Sequence, residues 1–292
     1  MSKLARIMPR RSDIRAHIRA AAHGVLEAPP ETSIHSPLSG CAVISLRPVG
    51  DHEALRRAAA AHGARTIALS PWKLVFRDDH ATRARLREAL AAPHVIVTSP
   101  AAARAARTLL PLRERREQRW YAVGDGTATA LRHAGIARVH RPERMDSEGL
   151  LAMPELQGLR AADGRDTDVA VLTAPGGRDR IVPALQRRGA RLHRVDLYER
   201  VPVPPSQRGL AALRALDAPA WLMLSSGEAL QTLLKALPPD AAALLRRARV
   251  SAASARLAEL ARGLGWTDIA IADNARPRSL LAAAGAAQAQ RR

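Results

Sequence analysis

Gly189-Ala190-Arg191-Leu192-His193-Arg194-Val195-Asp196-Leu197-Tyr198-Glu199-Arg200, followed by Val201-Pro202-Val203-Pro204-Pro205, decides the fold. Gly189 reads as the end of a helix, the residues to Leu197 as an alternating strand, and the prolines as an exit from it. The same grammar occurs 126 residues earlier, at Gly63-Ala64-Arg65-Thr66-Ile67-Ala68-Leu69-Ser70-Pro71 (63 against 189). Two similar strands, each ending at proline, predict paired crossings between two domains. The repeat alone does not say which segments share a sheet; if Thr66–Leu69 and Leu192–Leu197 run side by side, the middle of the chain forms one domain. Its start and end form the other.

The rest of the chain fits around that pair. Short buried strands at 42–46, 94–97, 120–123, 168–172, 221–226 and 268–272 alternate with helical segments, the pattern of parallel sheets covered by helices. Asp168 to Leu172 repeats the first strand at the same offset, and Trp221 to Ser226 repeats Val95 to Pro100. The expected fold class is therefore α/β, with two parallel-sheet domains and, where the crossing strands pair, a discontinuous outer domain. The expected boundaries are 39–70 plus 201–287 for the outer domain and 71–200 for the inserted one. Residues 1–38, rich in arginine and then in Pro, Glu, Thr and Ser, read as a basic, disordered extension.

Composition narrows the function classes. The formal charge is +19, almost all of it arginine, since Lys3, Lys73 and Lys235 are the only lysines. A polyanionic small molecule or a merely solvated basic surface accounts for it. Nucleic acid is disfavoured, because no basic stretch is interleaved with aromatics that could stack bases. The single cysteine, Cys41, excludes a disulfide framework and any Cys-rich zinc site. No apolar run is long enough to span a membrane and no secretory signal is recognisable, so a cytoplasmic location and no membrane partner are expected.

Familiar nucleotide signatures fail. Gly124-Asp125-Gly126 lacks the third glycine of a dinucleotide fingerprint, and Pro175-Gly176-Gly177-Arg178 lacks the Gly-Lys-Ser/Thr of a phosphate loop. What recurs is a small polar residue at a strand end, opening a helix: Ser99, Gly124, Gly176, Ser225 and Ser254. Each can be a cap alone. Together they can also aim several helix N-termini at one cleft, where backbone N–H groups meet anionic groups. Arg47 and Arg178 stand at equivalent strand ends, which suits a ligand with many carboxylates. Tyr198 is one of two tyrosines; at a strand end between domains its phenol can donate a hydrogen bond or a proton. Thr127 reads as an N-terminal residue of the helix after Val123.

These residues resemble the uroporphyrinogen-III synthase family. The resemblance rests on Ser45-Leu46-Arg47-Pro48, Val97-Thr98-Ser99-Pro100, Ala122-Val123-Gly124-Asp125-Gly126-Thr127-Ala128 and Ser147-Glu148-Gly149-Leu150-Leu151. It continues through Leu185 to Gly189, Tyr198-Glu199-Arg200 and Ser254-Ala255-Arg256-Leu257-Ala258, in order, over Cys41 to Ala287. Ser45 stands where the family usually has threonine, and Ala255 where an acidic residue is common. The resemblance implies two α/β domains joined by a two-stranded antiparallel ladder, and a cofactor-free, carbon–oxygen lyase in haem-type tetrapyrrole synthesis. Its substrate, hydroxymethylbilane, would lose its hydroxyl and close with inversion of ring D through a spiro intermediate. Tyr198 then matches the acid that assists departure of the hydroxyl. Ser99, Thr127 and Ser225 match polar cleft positions that position carboxylates, and Arg47 and Arg178 match basic positions; Gly124 and Ser254 are further substrate-binding candidates as helix openers at the cleft. A monomer suffices for such a cleft. The rival expectation is a non-catalytic two-domain binder of a polyanionic small molecule.

Overall fold

The computed structural model describes residues 36–159, 166–176 and 180–291. Most of the basic extension and Arg178 therefore lie outside the described residues. The strands are β1 (Ala42–Ser45), β2 (Arg65–Ala68), β3 (Trp72–Phe76), β4 (His94–Val97), β5 (Arg119–Ala122) and β6 (Val139–His140). They continue as β7 (Thr167–Thr173), β8 (Ala190–Asp196), β9 (Tyr198–Pro202), β10 (Ala220–Leu224), β11 (Arg249–Ala252) and β12 (Ile269–Ile271). The helices are α1 (Glu53–Ala60), α2 (His80–Ala89), α3 (Pro100–Leu109), α4 (Asp125–His133), α5 (Ser147–Leu151) and α6 (Ile181–Arg187). After them come α7 (Gln207–Arg214), α8 (Gly227–Ala236), α9 (Pro239–Arg246), α10 (Ala255–Gly263) and α11 (Pro277–Ala289).

Two five-stranded parallel sheets form, ordered β12-β11-β10-β1-β2 and β6-β5-β4-β7-β8. The orders correspond through the repeat: β1 and β2 hold the places of β7 and β8, and β10 to β12 those of β4 to β6. Each sheet therefore takes its first two repeat strands from one copy and its last three from the other. Gly63 and Gly189 end the equivalent helices α1 and α6 with positive φ, +68° and +81°, a backbone that L side chains rarely adopt. Each turns the chain directly into an edge strand.

The crossing pair is not the one expected from the repeat. Thr66 to Leu69 and Leu192 to Leu197 are not neighbours, because β2 pairs in parallel with β1 and β8 with β7, in different sheets. The strands immediately after them make the antiparallel ladder, with Trp72 opposite Pro202, Leu74 opposite Arg200 and Phe76 opposite Tyr198. Pro71 and the prolines after Val201 mark the ends of this ladder rather than the ends of the edge strands. A proline has no N–H to give to a ladder, so it punctuates pairing without saying which strand is being closed.

The ladder is bonded into both cores. Trp72 packs with Ile67, Leu69 and Leu222 on one side, Tyr198 with Val97, Ala101 and Leu172 on the other, and Leu74 touches both groups. Few aromatics are needed because α3 buries Ala101, Ala102, Ala103, Ala105 and Ala106, whose short side chains let the helix lie close to its sheet and to α4. On the far face of the first sheet, fully buried Leu38 packs with Val43, Leu281 and Ala284, so the folded core already includes Leu38.

Candidate functional site

In a parallel sheet every strand ends at the same edge, and the helix that follows starts there. At that edge of the β4-β5-β7-β8 sheet lies a cavity of about 260 Å³. Thr98 and Ser99 come to it from the end of β4, Val123 from β5, and Thr173 and Gly176 from β7. Ser147 and Ile181 reach it from the starts of α5 and α6, Arg194 from β8, and Tyr198 and Arg200 from β9.

Tyr198 opens β9 and is 3% exposed, with the edge of Phe76 against its ring at 6.4 Å between centroids. Its hydroxyl lies 3.0 Å from Ser99 Oγ. Ser99 Oγ also accepts the Ala102 N–H at 3.1 Å, capping α3. That bond fixes the serine rotamer and leaves its hydroxyl proton free to turn. When Tyr198 donates, the Ser99 proton points elsewhere; when the phenol oxygen is negative, Ser99 can donate to it. Beside them Thr98 donates to Thr173 Oγ1 at 2.8 Å, adding hydroxyls to the same wall.

Two cations border this polar wall. Arg194 Nε donates to Asp196 at 3.1 Å, and Arg200 Nη1 donates to Glu228 at 3.1 Å while lying over the Trp72 ring at 5.6 Å. Neither was singled out in the sequence. Arg200 was findable in principle: it stands two residues after Tyr198, on the same face of a strand.

The other expected residues are distributed around this centre. Gly124 is the extended residue before α4, next to the lining Val123, and a Cβ on it would lie 3.3 Å from Met145 Cβ. Thr127 is 4% exposed inside α4 and is not on the cavity wall. Arg47, Ser225 and Ser254 follow β1, β10 and β11, at the corresponding edge of the other sheet. There Arg47 Nη2 donates to Ala275 O at 3.4 Å, and Ser254 caps α10 through the Leu257 N–H. Ser225 does not cap; the adjacent Ser226 accepts the Ala229 N–H at 3.2 Å. Gly176 does not open α6 either, since the residue before that helix is Arg180. The two edges approach each other: Asp51, beyond β1, lies 3.7 Å from Arg104 of α3, and Arg276, beyond β12, pairs with Asp125 of α4.

Behind Arg47, His52 bridges the chain's first sheet to the crossing. Its Nδ1 is 2.8 Å from Ser45 Oγ and its Nε2 is 2.8 Å from Ser70 Oγ, with the residue 6% exposed. Burial, then the Arg56 charge, hold its pKa below the ordinary value, and burial does the same to His94. The unfolded chain therefore binds these protons at higher pH than the folded one. Stability is full above about pH 6.5, falls as pH drops from there toward the folded values, and levels off below them. Replacing His52 with Gln should flatten that fall below about pH 6.5 in urea unfolding. An unchanged slope would show that His52 is not one of the groups responsible.

The second tyrosine, Tyr121, is fully buried with its hydroxyl 3.1 Å from His94 Nδ1, and burial pushes its pKa up to about 12. It lies in the core and not on the cavity wall. Among the described residues no group of three His, Cys, Asp or Glu side chains could hold a metal ion, and no helix is long and apolar enough to cross a membrane.

Residues 53–282 match the family model described as Uroporphyrinogen-III synthase HemD. The chain is 35% identical over 167 residues to the uroporphyrinogen-III synthase of Salmonella typhimurium, covering 56% of this chain and 66% of that protein. It is 34% identical over 166 residues to the Escherichia coli enzyme of the same name, covering 56% and 65%. The matched region thus spans slightly less than two thirds of these relatives. A crystal structure of a mutant Thermus thermophilus uroporphyrinogen III synthase superimposes with a TM-score of 0.56 at 18% identity, over 86% of this chain and 99% of that one. The Helicobacter pylori uroporphyrinogen-III synthetase gives 0.53 at 14% identity, over 84% and 97%. At these identities the two structures establish the fold.

Proposed function

Because the chain belongs to the uroporphyrinogen-III synthase family, we propose that it converts hydroxymethylbilane to uroporphyrinogen III as a cyclising carbon–oxygen lyase without a cofactor. The observation that carries this reading is the Tyr198–Ser99 hydroxyl pair at a cavity edged by helix N-termini and two arginines. Tyr198 gives its proton to the substrate hydroxyl as the C–O bond breaks, and the hydroxyl leaves as water. Ser99 then donates to the phenolate, stabilising the charge while the electrophilic azafulvene lasts. Ring D attacks through its substituted carbon, forming the spiro intermediate, which opens and recloses with that ring inverted. The proton lost at closure returns to Tyr198, so the net change is loss of one water.

Most of the rate and all of the isomer choice come from folding the linear tetrapyrrole before it closes on its own. The protein does this with two domains, 39–70 plus 201–287 and 71–200, whose strand-end edges take the substrate's carboxylates. Arg47, Gly124, Ser225 and Ser254 would serve at those edges; Arg178, outside the described residues, would add a further cation for a carboxylate, and Thr127 would act from within α4 by shaping its first turn. The working unit is a cytoplasmic monomer, with no nucleic-acid or membrane partner. Purified protein given hydroxymethylbilane should form uroporphyrinogen III faster than the I isomer appears spontaneously.

A further inference from the structure

Arg200 projects from β9 on the same face as Tyr198 and lines the cavity, but its guanidinium is already occupied. Glu228 Oε2 accepts from Nη1 at 3.1 Å, and Trp72 supplies a ring face at 5.6 Å. The Arg200 side chain is 28% exposed and Glu228 52% exposed. An ion pair this open is weak, so a carboxylate anchored by neighbouring groups can replace the protein's own. The Trp72 ring lies 5.6 Å from the guanidinium carbon, and the planar fork of an arginine can bind a carboxylate through two bonds.

Glu228 loses little when displaced. It sits in the first turn of α8, two residues after the Ser226 cap, where the helix N-terminus favours a negative charge with or without Arg200. We infer that Arg200 binds a carboxylate of the ligand next to Tyr198, and that Glu228 is an internal stand-in which that carboxylate displaces. The pair then acts as a filter: a ligand lacking a carboxylate at that place leaves Arg200 with Glu228, while the correct one exchanges it at small cost. This rests on the substrate reading above for the identity of the ligand, but not for its charge.

The test uses Arg200→Gln, Glu228→Gln and the double variant, with KM for hydroxymethylbilane and, separately, calorimetric binding of benzenehexacarboxylate as an inert polycarboxylate. Arg200→Gln should raise KM and the probe's Kd about tenfold, the worth of a charge-assisted hydrogen bond. Glu228→Gln should lower both about threefold, the scale of an exposed ion pair. In the Arg200→Gln background the Glu228→Gln gain should vanish, which a purely structural ion pair does not predict. KM and Kd within twofold of wild type in Arg200→Gln would overturn the proposal, as would a Glu228→Gln gain that persists without Arg200. If the wild type does not turn over hydroxymethylbilane but the probe shows the full pattern, the carboxylate site stands and the catalytic reading fails.

Discussion

Tyr198→Phe should lower kcat for hydroxymethylbilane about 10- to 100-fold while the product remains the III isomer. The range lies at or below the low end for a lost general acid, because this substrate closes unaided and asks only modest help from a proton donor. The fold should survive. Phenylalanine keeps the ring against Phe76 and within the core around Val97 and Leu172, and Ser99 keeps its bond from the Ala102 N–H. What is lost is one hydroxyl–hydroxyl bond of 3.0 Å, about 1 kcal/mol, or a few degrees of melting temperature. Turnover and thermal unfolding measured on the same preparation separate the two effects. Near-normal turnover removes the acid role from Tyr198. A large drop in melting temperature would instead make the residue a core element whose activity loss is indirect.

Gly149→Ala should give the largest loss of stability among single-methyl changes near the site, about 2–3 kcal/mol by the scale of overpacked cores. A Cβ at Gly149 would stand 1.9 Å from the Arg144 carbonyl oxygen, so backbone and not a side-chain tip must move. The carbonyl cannot yield easily, because Asp146 caps α5 through the Gly149 N–H at 2.8 Å and holds the same turn closed. Displacing that turn also moves Ser147, which lines the cavity, so KM should rise together with the fall in melting temperature. Gly263→Ala is the control. Gly263 ends α10 with nothing within 4 Å of the added carbon, and the change should stabilise by a few tenths to about 1 kcal/mol. Equal melting temperatures for the two variants would show that the close approach at Gly149 relaxes freely.

The fold was readable where strand and helix signals were local. His94 to Val97 was bounded correctly because Pro93 and Ser99-Pro100 fence it, and Gly63 and Gly189 end their helices because only glycine takes that backbone easily. The two parallel sheets were readable from the alternation of strands and helices and from the repeat; the strand order within each sheet, which mixes strands of both copies, was not. The partner of each crossing strand was not local information. Trp72 to Phe76 and Tyr198 to Pro202 are short and flanked by proline, and only their pairing with each other makes them strands. Helices α7 and α9 went unassigned for a related reason: Pro204-Pro205 read only as the exit from a strand and Pro238-Pro239 was passed over, although a proline at or before the first helical turn is also a start signal.

The candidate site was legible in its centre and less so at its margins. Tyr198 stood out as a phenol at a strand end, and Ser99 as a cap. Their 3.0 Å contact joins residues 99 positions apart and is a product of the β9 crossing. Ser225 is the repeat equivalent of Ser99, but the helix starts one residue later there, so the cap falls to Ser226. Thr127 faces inward because α4 packs against α3 as well as against β5 and β6, which no capping rule reveals. Arg200 was hidden among many arginines. What distinguishes it is its surroundings, Trp72, Glu228 and the cavity, and none of these is adjacent in sequence.

The central claim is that this fold closes a linear tetrapyrrole with one ring inverted, and isomer analysis of the product tests it most directly. Freshly prepared hydroxymethylbilane, incubated with purified protein and oxidised to porphyrin for chromatography, should give mainly the III isomer, with the I isomer rising only as protein is diluted. Product that remains the I isomer at every protein concentration would contradict the account.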